Sequence, residues 1–273
     1  MTHGLAHPAP NPGERIDIPS VANLRDVGGY PVAGGGAVRT GLLYRSAGLG
    51  RITAEDSSAF AALGLKTVFD LRTDPEREMA PDRVPEGTAL IALDVLGDHR
   101  AAAPARLQGV FEDPARAPEL FGDGRAEDGL REAYRDIVLL PSAQTAYRGY
   151  FSRLLADGTM PALVHCTAGK DRTGWAVAST LLLAGVSEDD VMADYVLSNR
   201  DLIPALAPLF EAFEERGGDP EVIRPIFSVA PEYLEIALAT VHTSYGSIET
   251  YFADGLGIDA DAQRALRELL VVA

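Results

Sequence analysis

The sequence places a cysteine and an arginine six positions apart, Cys166 and Arg172, within the stretch His165–Gly174. An apolar strand is predicted before this stretch and a helix after it, from about Thr173. In such a turn successive backbone N–H groups converge, and the helix dipole adds positive charge, so the turn binds anions. The same surroundings favour a thiolate, which is the nucleophilic form of cysteine. We therefore predict a phosphate-binding loop with Cys166 as its nucleophile.

The other residues of this loop have types that suit a bound phosphate. Arg172 offers a planar fork for two phosphate oxygens, and Gly169 permits the backbone angles of a tight cradle. The hydroxyl of Thr173 is expected to hydrogen-bond the sulfur and ease its departure, and His165 is expected to orient the loop. The residues that we expect to bind substrate are Thr167, Ala168, Gly169, Lys170 and Thr173.

A structural explanation competes with this interpretation. A lone cysteine after an apolar strand is most often an inert core residue. A cysteine followed by five residues and Arg-Thr-Gly, with a glycine between them, is a much more specific pattern. We therefore favour the functional interpretation.

The stretch HCTAGKDRTG resembles the His-Cys-x5-Arg-Ser/Thr signature loop of the cysteine-based protein tyrosine phosphatases. More narrowly, the chain resembles the bacterial and fungal tyrosine/serine, or dual-specificity, phosphatase family that includes mycobacterial phosphatase B. The resemblance covers nearly the whole chain. The further matching motifs are Asn23–Gly29, Leu43–Ser46, Phe69–Arg72, Asp194–Asn199 and Tyr245–Ser247.

This resemblance implies a fold, a reaction and a substrate class. The implied fold is a central sheet flanked by helices, with the loop at the carboxyl edge of the strands, as is general for open α/β sheets. The implied reaction is hydrolysis of phosphomonoesters through a phosphocysteine intermediate, with inorganic phosphate as product. No metal or other cofactor is implied, and the five histidines are scattered along the chain.

The leaving oxygen of a phosphomonoester needs a proton, which a carboxylic acid usually supplies. In the tyrosine phosphatase pattern this acid lies on a separate loop, a position that Asp94 occupies, with Asp98 close by. The in-loop Asp171 is the other candidate, since an Asp-Arg pair also occurs in the loops of the myotubularin and Sac lipid phosphatases. Our hypothesis is that Asp171→Asn lowers turnover more than Asp94→Asn.

Lys170 adds a second cation at the mouth of the loop, which suits a substrate with several phosphates or a lipid head group. It is equally consistent with a generic phosphate contact. Phosphotyrosine in proteins, with dual specificity, is the main expectation, and phosphoinositides are the alternative. An inactive phosphate-binding module would lack Cys166 or Arg172, and the Arg-Thr-Gly ending speaks against a rhodanese-type sulfurtransferase.

Charge and composition exclude several other classes. The formal net charge of −16 makes the chain a poor nucleic-acid binder, and the single cysteine excludes an intrachain disulfide. The sequence contains neither a classical secretory signal nor an apolar run that could anchor it stably in a membrane. A cytoplasmic location is the simplest expectation, with export by another route left open.

The elements that must position this loop follow an α/β pattern. Strands are predicted at Leu65–Arg72, Thr88–Asp94 and Leu163–Cys166, with helices between them and in the last third of the chain. We expect a flexible tail over residues 1–15 and one phosphatase domain over 16–273. The stretch 96–129 lacks periodicity and is expected to form a lid-like insertion.

Charged residues beside apolar strands or glycine turns are expected to form structural ion pairs, because buried charges are rarely left alone. Asn199 is expected to bond a loop backbone. The charged residues in question are Arg25, Asp26, Arg45, Asp70 and Arg72.

Overall fold

A five-stranded sheet forms the centre of the molecule. The computed structural model describes residues 11–98 and 109–273. The strands, in the order in which they lie in the sheet, are β1 (Arg25–Asp26), β3 (Leu43–Ser46), β6 (Ala162–His165), β4 (Thr67–Asp70) and β5 (Ala89–Ala92). Strands β2 (Ala37–Val38) and β7 (Val271–Val272) pair as a separate ribbon.

The sheet is mostly parallel, as predicted. Strands β3, β6, β4 and β5 run in the same direction, and only β1 pairs antiparallel, with β3. Ser46, Asp70 and His165 align in register at the ends of their strands. The carboxyl ends of four strands therefore meet at one edge, which is where a ligand site is expected in such a sheet.

Both faces of the central strands β4 and β6 are buried because these strands are apolar on both sides, whereas the edge strand β5 is largely exposed. Val68 and Leu163 face one core cluster, which includes Phe60. Phe69 and Val164, the next residues along the same strands, face the larger cluster on the other side. This alternation with period two explains why short uninterrupted apolar runs form parallel strands covered by helices on both faces.

The helices surround this sheet and dominate the last third of the chain. They are α1 (Ala54–Ala61), α2 (Asp74–Met79), α3 (Ala117–Phe121), α4 (Arg125–Leu139), α5 (Pro141–Leu154), α6 (Asp171–Ala184), α7 (Glu188–Glu215), α8 (Pro220–Phe227), α9 (Pro231–Tyr245) and α10 (Ala260–Leu270).

The long helix α7 is continuous, although a proline inside a helix usually kinks or ends it. The structure has a single helix that contains Pro204 and Pro208. Both prolines lie on the exposed side, whereas Phe210 and Phe213 are buried. Burial of these apolar side chains offsets the backbone hydrogen bonds that the prolines remove.

The stretch 96–129 is more regular than its sequence predicts. Helix α3 and the first residues of α4 lie within it, and Val110 and Ala117 are buried against Phe210, Phe213 and the neighbouring α8. The prediction of an irregular segment is therefore wrong for its second half. It failed because these helices are supported by apolar residues about a hundred positions away, which local periodicity does not register.

The predicted division into a tail and one domain stays a prediction. Residues 1–10 of the tail and 99–108 of the insertion lie outside the described residues. Near the start of the described chain, Arg15 forms an isolated antiparallel bridge with Arg25 of β1.

Among the described helices, none is long and apolar enough to cross a bilayer.

Candidate active site

The loop that follows β6 connects the sheet edge to the start of α6. Cys166 begins this loop and is buried, with 2% of its surface exposed, whereas Thr167 is exposed. Arg172 lies in the first turn of α6. Cys166 and Arg172 thus lie at the two ends of one short loop between the sheet edge and α6.

Gly169 fits this loop because no other residue can. Its φ of 68° lies in the left-handed region, and a Cβ atom would lie 2.1 Å from the carbonyl oxygen of Ser46. The carbonyl of Gly169 accepts hydrogen bonds from Asn23 Nδ2 at 2.8 Å and from Arg45 Nη2 at 2.7 Å. The loop is thus held against the end of β3, as its glycine indicated.

A buried ion cluster lies behind the loop. Arg25 Nε and Arg45 Nη1 contact the carboxylate of Asp194 in α7 at 3.0 and 2.6 Å, and all three side chains are at most 2% exposed. Burial alone would raise the pKa of Asp194, but the two arginines lower it to about 2. Burial lowers the pKa of Arg45 to about 10, and the positive charge of Arg25 is the second largest cause of this shift.

The expectation of structural ion pairs is confirmed for Arg25 and Arg45, but their partner lies on α7, far along the chain. Asp26 instead accepts backbone hydrogen bonds from Gly28 and Gly41 at 2.8 and 2.6 Å, which fixes the turns around it. These charges therefore tie the first strands both to their own turns and to α7.

On the opposite, solvent-facing side, a carboxylate holds the guanidinium of Arg172. Nη1 and Nη2 donate to the two oxygens of Glu76 in α2, each at 2.7 Å. Burial alone would lower the pKa of Arg172 and raise that of Glu76. Their mutual hydrogen bonds reverse both effects. The guanidinium makes two further, longer hydrogen bonds, from Nη2 to the Thr167 hydroxyl at 3.4 Å and from Nη1 to the Leu71 carbonyl at 3.5 Å. Within residues 11–98 and 109–273, its Nε atom makes no hydrogen bond.

Glu76 was not recognised from the sequence. Its carboxylate accepts hydrogen bonds from the backbone N–H and the hydroxyl of Thr73, at 2.9 and 2.8 Å, and from the hydroxyl of Thr167. A threonine followed three positions later by a glutamate is a capping-box pattern, and this signal could have located α2. It would not have shown that the same glutamate reaches Arg172, because that contact spans 96 positions of sequence.

The two aspartates before the insertion have different surroundings. Asp94 is half-buried, and burial raises its pKa, while the Leu96 N–H and the charges of Arg77 and Arg172 lower it only in part. Asp98 instead accepts a hydrogen bond from the backbone N–H of Ser142 at 2.7 Å, at the start of α5. Of these two aspartates, Asp94 is the one whose pKa is affected by the charge of Arg172, and Asp98 binds the first turn of a helix.

The in-loop Asp171 is engaged by two donors. Its Oδ1 atom accepts from the Tyr134 hydroxyl at 2.6 Å, and Lys170 Nζ pairs with the carboxylate at 2.8 Å. Lys170 is only 3% exposed, so its charge is neutralised beside the loop and not displayed at the mouth. Tyr134 also bonds the hydroxyl of Tyr195 at 2.6 Å. Neither tyrosine was recognised from the sequence, because the residues that each one bonds lie far away along the chain.

A second buried charge cluster adjoins the base of the loop. Arg72 pairs with Asp70 at 2.8 Å and with Asp82 at 2.7 Å, and Asp82 also contacts His165 Nε2 at 3.0 Å. A carboxylate from each aspartate and the imidazole lie within 4.8 Å of one another, which is a spacing that can hold a metal ion. The guanidinium of Arg72 hydrogen-bonds Asp70 and lies beside Asp82, so it offsets one of the two negative charges of this pocket.

The remaining expected residues also have defined places. The Thr173 hydroxyl is buried and has no hydrogen-bond partner among the described residues, so the expected hydrogen bond to the Cys166 sulfur is not formed. Tyr147, which the sequence did not indicate, donates its hydroxyl to the carbonyl of Arg172 at 3.0 Å. Asn199 makes two hydrogen bonds of 2.8 Å with the backbone of Val229, a loop residue before α9, as its prediction required.

Known tyrosine phosphatases resemble this chain in sequence. The sequence model of the tyrosine phosphatase family matches residues 16–272. The triple specificity protein phosphatase PtpB of Mycobacterium tuberculosis is 32% identical over 279 residues, which cover 93% of this chain and 98% of that protein. A tyrosine-protein phosphatase of Nostoc commune is 32% identical over 221 residues, covering 79% of this chain and 69% of that protein.

Among solved structures, the Siw14 catalytic core matches 77% of this chain and 92% of its own chain, with 18% identity and a TM-score of 0.35. TpbA of P. aeruginosa matches 68% of this chain and 86% of its own, with 16% identity and a TM-score of 0.27.

Proposed function

The chain belongs to the tyrosine phosphatase family, and we propose that Cys166 is the nucleophile with which it hydrolyses phosphotyrosine in proteins. It is a phosphoric monoester hydrolase. The observation that carries the assignment to Cys166 is its place at the start of the loop between β6 and α6, with Arg172 at the other end of the loop and oriented there by Glu76.

The reaction begins with the Cys166 thiolate attacking phosphorus. A sulfur–phosphorus bond forms as the bond to the leaving oxygen breaks, and the leaving oxygen takes a proton from a carboxylic acid. Water then attacks the phosphocysteine, loses a proton to the same carboxylate, and releases inorganic phosphate and the thiolate. The unpartnered hydroxyl of Thr173 is available to stabilise the departing sulfur.

Arg172 has two edges, and we assign a different partner to each. The edge formed by Nη1 and Nη2 bonds Glu76, which fixes the orientation of the guanidinium. The edge that includes Nε remains available to bind two phosphate oxygens. Glu76 therefore acts as a positioning residue for Arg172 and does not need to leave when phosphate binds.

Asp94 is our preferred proton donor. Burial raises the pKa of its carboxyl, which keeps the acid form populated to higher pH than an exposed aspartate would allow. Asp171 accepts hydrogen bonds from Tyr134 and Lys170, and these contacts suit a residue that holds the loop in place. The surroundings of the two residues thus favour the opposite order of importance from the one inferred from the sequence.

The range of substrates is a separate proposal. The relative from Mycobacterium tuberculosis is named a triple specificity phosphatase, which supports testing phosphoserine and phosphoinositides beside phosphotyrosine. The lysine on which the phosphoinositide alternative rested is paired with Asp171 and buried, so this support is weaker than the sequence suggested. The lid function of residues 96–129 and a cytoplasmic location also stay predictions.

The deciding experiment measures phosphate release from phosphotyrosine peptides, phosphoserine peptides and soluble phosphoinositides, with Cys166→Ser as the blank. We expect the highest kcat/KM for phosphotyrosine and no turnover by the variant. Acid quenching of the wild type during turnover should trap one phosphate on Cys166, which mass spectrometry of the peptide that contains it detects. Turnover by Cys166→Ser would overturn the assignment of the nucleophile, and a higher kcat/KM for phosphoinositides would overturn the substrate.

A further inference from the structure

The carbonyl groups of the signature loop are held by donors from outside the loop. The Thr167 carbonyl accepts from the Gly48 N–H at 3.1 Å. The Ala168 and Gly169 carbonyls both accept from Asn23 Nδ2, at 3.4 and 2.8 Å. A single side-chain amide, far away in the sequence, therefore contacts two successive carbonyl groups of the loop.

A bond that fixes a carbonyl group also fixes the N–H group of the same peptide. The peptide unit is planar and trans, so its N–H points away from its C=O. Because the Ala168 and Gly169 carbonyls face Asn23, the N–H groups of Gly169 and Lys170 point to the opposite side of the loop. Neither N–H donates a hydrogen bond to another described residue, although both residues are buried. Converging N–H groups of this kind bind anions.

The amide of Asn23 has one defined orientation. Arg25 Nη1 donates a hydrogen bond to its Oδ1 atom. Arginine has only donors, so the atom that meets it must be the amide oxygen, and the NH2 group must face the loop. Arg25 is itself fixed by Asp194, whose Oδ1 atom accepts from Nε at 3.0 Å. The contact with the loop is thus supported from behind.

The backbone of Asn23 also indicates a role for this side chain. Its φ of 57° lies in the left-handed region, and the residue is completely buried. Glycine adopts this conformation most readily, and asparagine tolerates it better than most other residues. Glycine would carry no amide to the loop. A strained conformation at a buried residue that touches a functional loop is a reason to look for a function of its side chain.

We propose that Asn23 is a positioning residue that turns the N–H groups of Gly169 and Lys170 towards the phosphate. The inference rests on this loop being the phosphate-binding site, and it adds a residue 146 positions before Gly169. Asn23 meets the carbonyl side of the two peptides, whereas phosphate meets the N–H side, so Asn23 acts without touching the substrate. Arg45 Nη2 shares the Gly169 carbonyl at 2.7 Å, which leaves the peptide between Ala168 and Gly169 more dependent on Asn23.

The test measures the binding of inorganic phosphate by calorimetry in the Cys166→Ser protein. Asn23→Gly, added to that parent, retains the left-handed backbone and removes the amide. We expect the Kd for phosphate to rise about tenfold, on the order of one lost hydrogen bond. A merely structural role would lower the fraction of binding-competent protein, which changes the stoichiometry of the titration and leaves the Kd unchanged.

Gln263 in α10 provides a matched control. It is 4% exposed, and its Nε2 atom donates to the carbonyls of Glu249 and Ile258 at 3.0 and 2.9 Å. Gln263→Ala removes the same kind of double contact from a segment outside the loop, so the Kd should stay within about twofold of the parent. An unchanged Kd in Asn23→Gly would overturn the proposal, and so would an equal weakening by both variants.

The titration needs no turnover, so it separates this inference from the assignment of the nucleophile. Turnover by Cys166→Ser would refute that assignment and leave the comparison of phosphate affinities intact. If the parent itself bound no phosphate, the loop would not be the site, and the role of Asn23 would be overturned with it.

A measurement with Asn23 intact keeps the proposal testable if Asn23→Gly does not fold. Nuclear magnetic resonance detects scalar coupling across a hydrogen bond, here between the Asn23 side-chain nitrogen and the Gly169 carbonyl carbon. We expect this coupling with and without phosphate, and we expect phosphate to move the N–H signals of Gly169 and Lys170 downfield. Loss of the coupling when phosphate binds, or N–H signals that do not move, would overturn the proposal.

Discussion

Two carboxylate–arginine contacts flank the signature loop, and they differ in what they hold. Behind the loop, Asp194 pairs with Arg25 and Arg45, and the three side chains are at most 2% exposed. In front of it, Glu76 pairs with Arg172, and their side chains are 16% and 12% exposed. The first contact fixes the loop backbone through the Gly169 carbonyl, and the second orients a side chain that must meet substrate.

The difference shows why similar ion pairs have different consequences when they are broken. Removing one partner of a fully buried pair leaves an uncompensated charge in the core, which costs stability. When one partner of a contact that reaches solvent is removed, water can solvate the other partner, so little stability is lost. The remaining side chain is then less well oriented, and catalysis becomes slower. We therefore expect variants behind the loop to unfold and variants in front of it to lose activity.

The largest expected effect is that of Asp194→Asn on stability. It leaves Arg25 and Arg45 with no full negative charge at their shared position, which should lower the free energy of unfolding by about 3–5 kcal/mol. Urea denaturation followed by circular dichroism measures this loss. The matched control is Asp261→Asn, which breaks an exposed pair with Arg264 and should cost less than about 1 kcal/mol.

The same cluster predicts a pH dependence. The pKa of Asp194 falls from its ordinary value to about 2 in the folded protein. Its stabilising contribution is therefore fully present above its unfolded pKa of about 4 and is lost as pH falls through about 2. Acid titration should show the wild type losing its advantage over Asp194→Asn across that interval, and a constant difference down to pH 2 would contradict the assignment.

In front of the loop, Asp94→Asn should have the largest effect on activity. Loss of a general acid typically lowers kcat about 10²- to 10⁴-fold, and the loss should be greatest for substrates with poor leaving groups. Because the acid must be protonated, activity should fall as pH rises through its raised pKa, and the variant should lose that basic limb. Single-turnover rates on two aryl phosphates of different leaving-group acidity measure both effects.

Asp171→Asn provides the comparison for that result. It keeps an oxygen that can accept from Tyr134 but removes the charge opposite Lys170. We expect a smaller loss of kcat than for Asp94→Asn, with little dependence on the leaving group. A larger loss that grows for poor leaving groups would return the role of acid to Asp171, as the sequence alone suggested.

Glu76→Gln should have the smallest of these effects. Its amide retains an acceptor for one nitrogen of Arg172 but loses the charge and the second contact, so we expect kcat/KM to fall about tenfold. The free energy of unfolding should change by less than about 1 kcal/mol, because water can solvate the guanidinium. The exposed Glu78 of the same helix supplies the control, Glu78→Gln. If Glu76→Gln destabilised the protein as much as Asp194→Asn does, the ion pairs in front of the loop and behind it would not differ as we infer.

The sequence by itself determined the parts of this protein that depend on neighbours in the chain. The order of strand, loop and helix around Cys166 and Arg172 follows from an apolar run, a glycine and helical periodicity, all of which act over a few residues. The cap at Thr73, although overlooked, is a signal of the same kind. The need for glycine at position 169 was likewise indicated by its place in the loop and is explained by the contact with Ser46.

Only the tertiary structure decided which charges face one another. Glu76 reaches Arg172, Asp82 reaches His165, and Asp194 reaches two arginines over separations of roughly 80 to 170 positions. Coulombic attraction and desolvation depend on distance in space and on burial, and neither quantity is contained in local sequence. For the same reason, the choice between Asp94 and Asp171 stayed open until their surroundings were known.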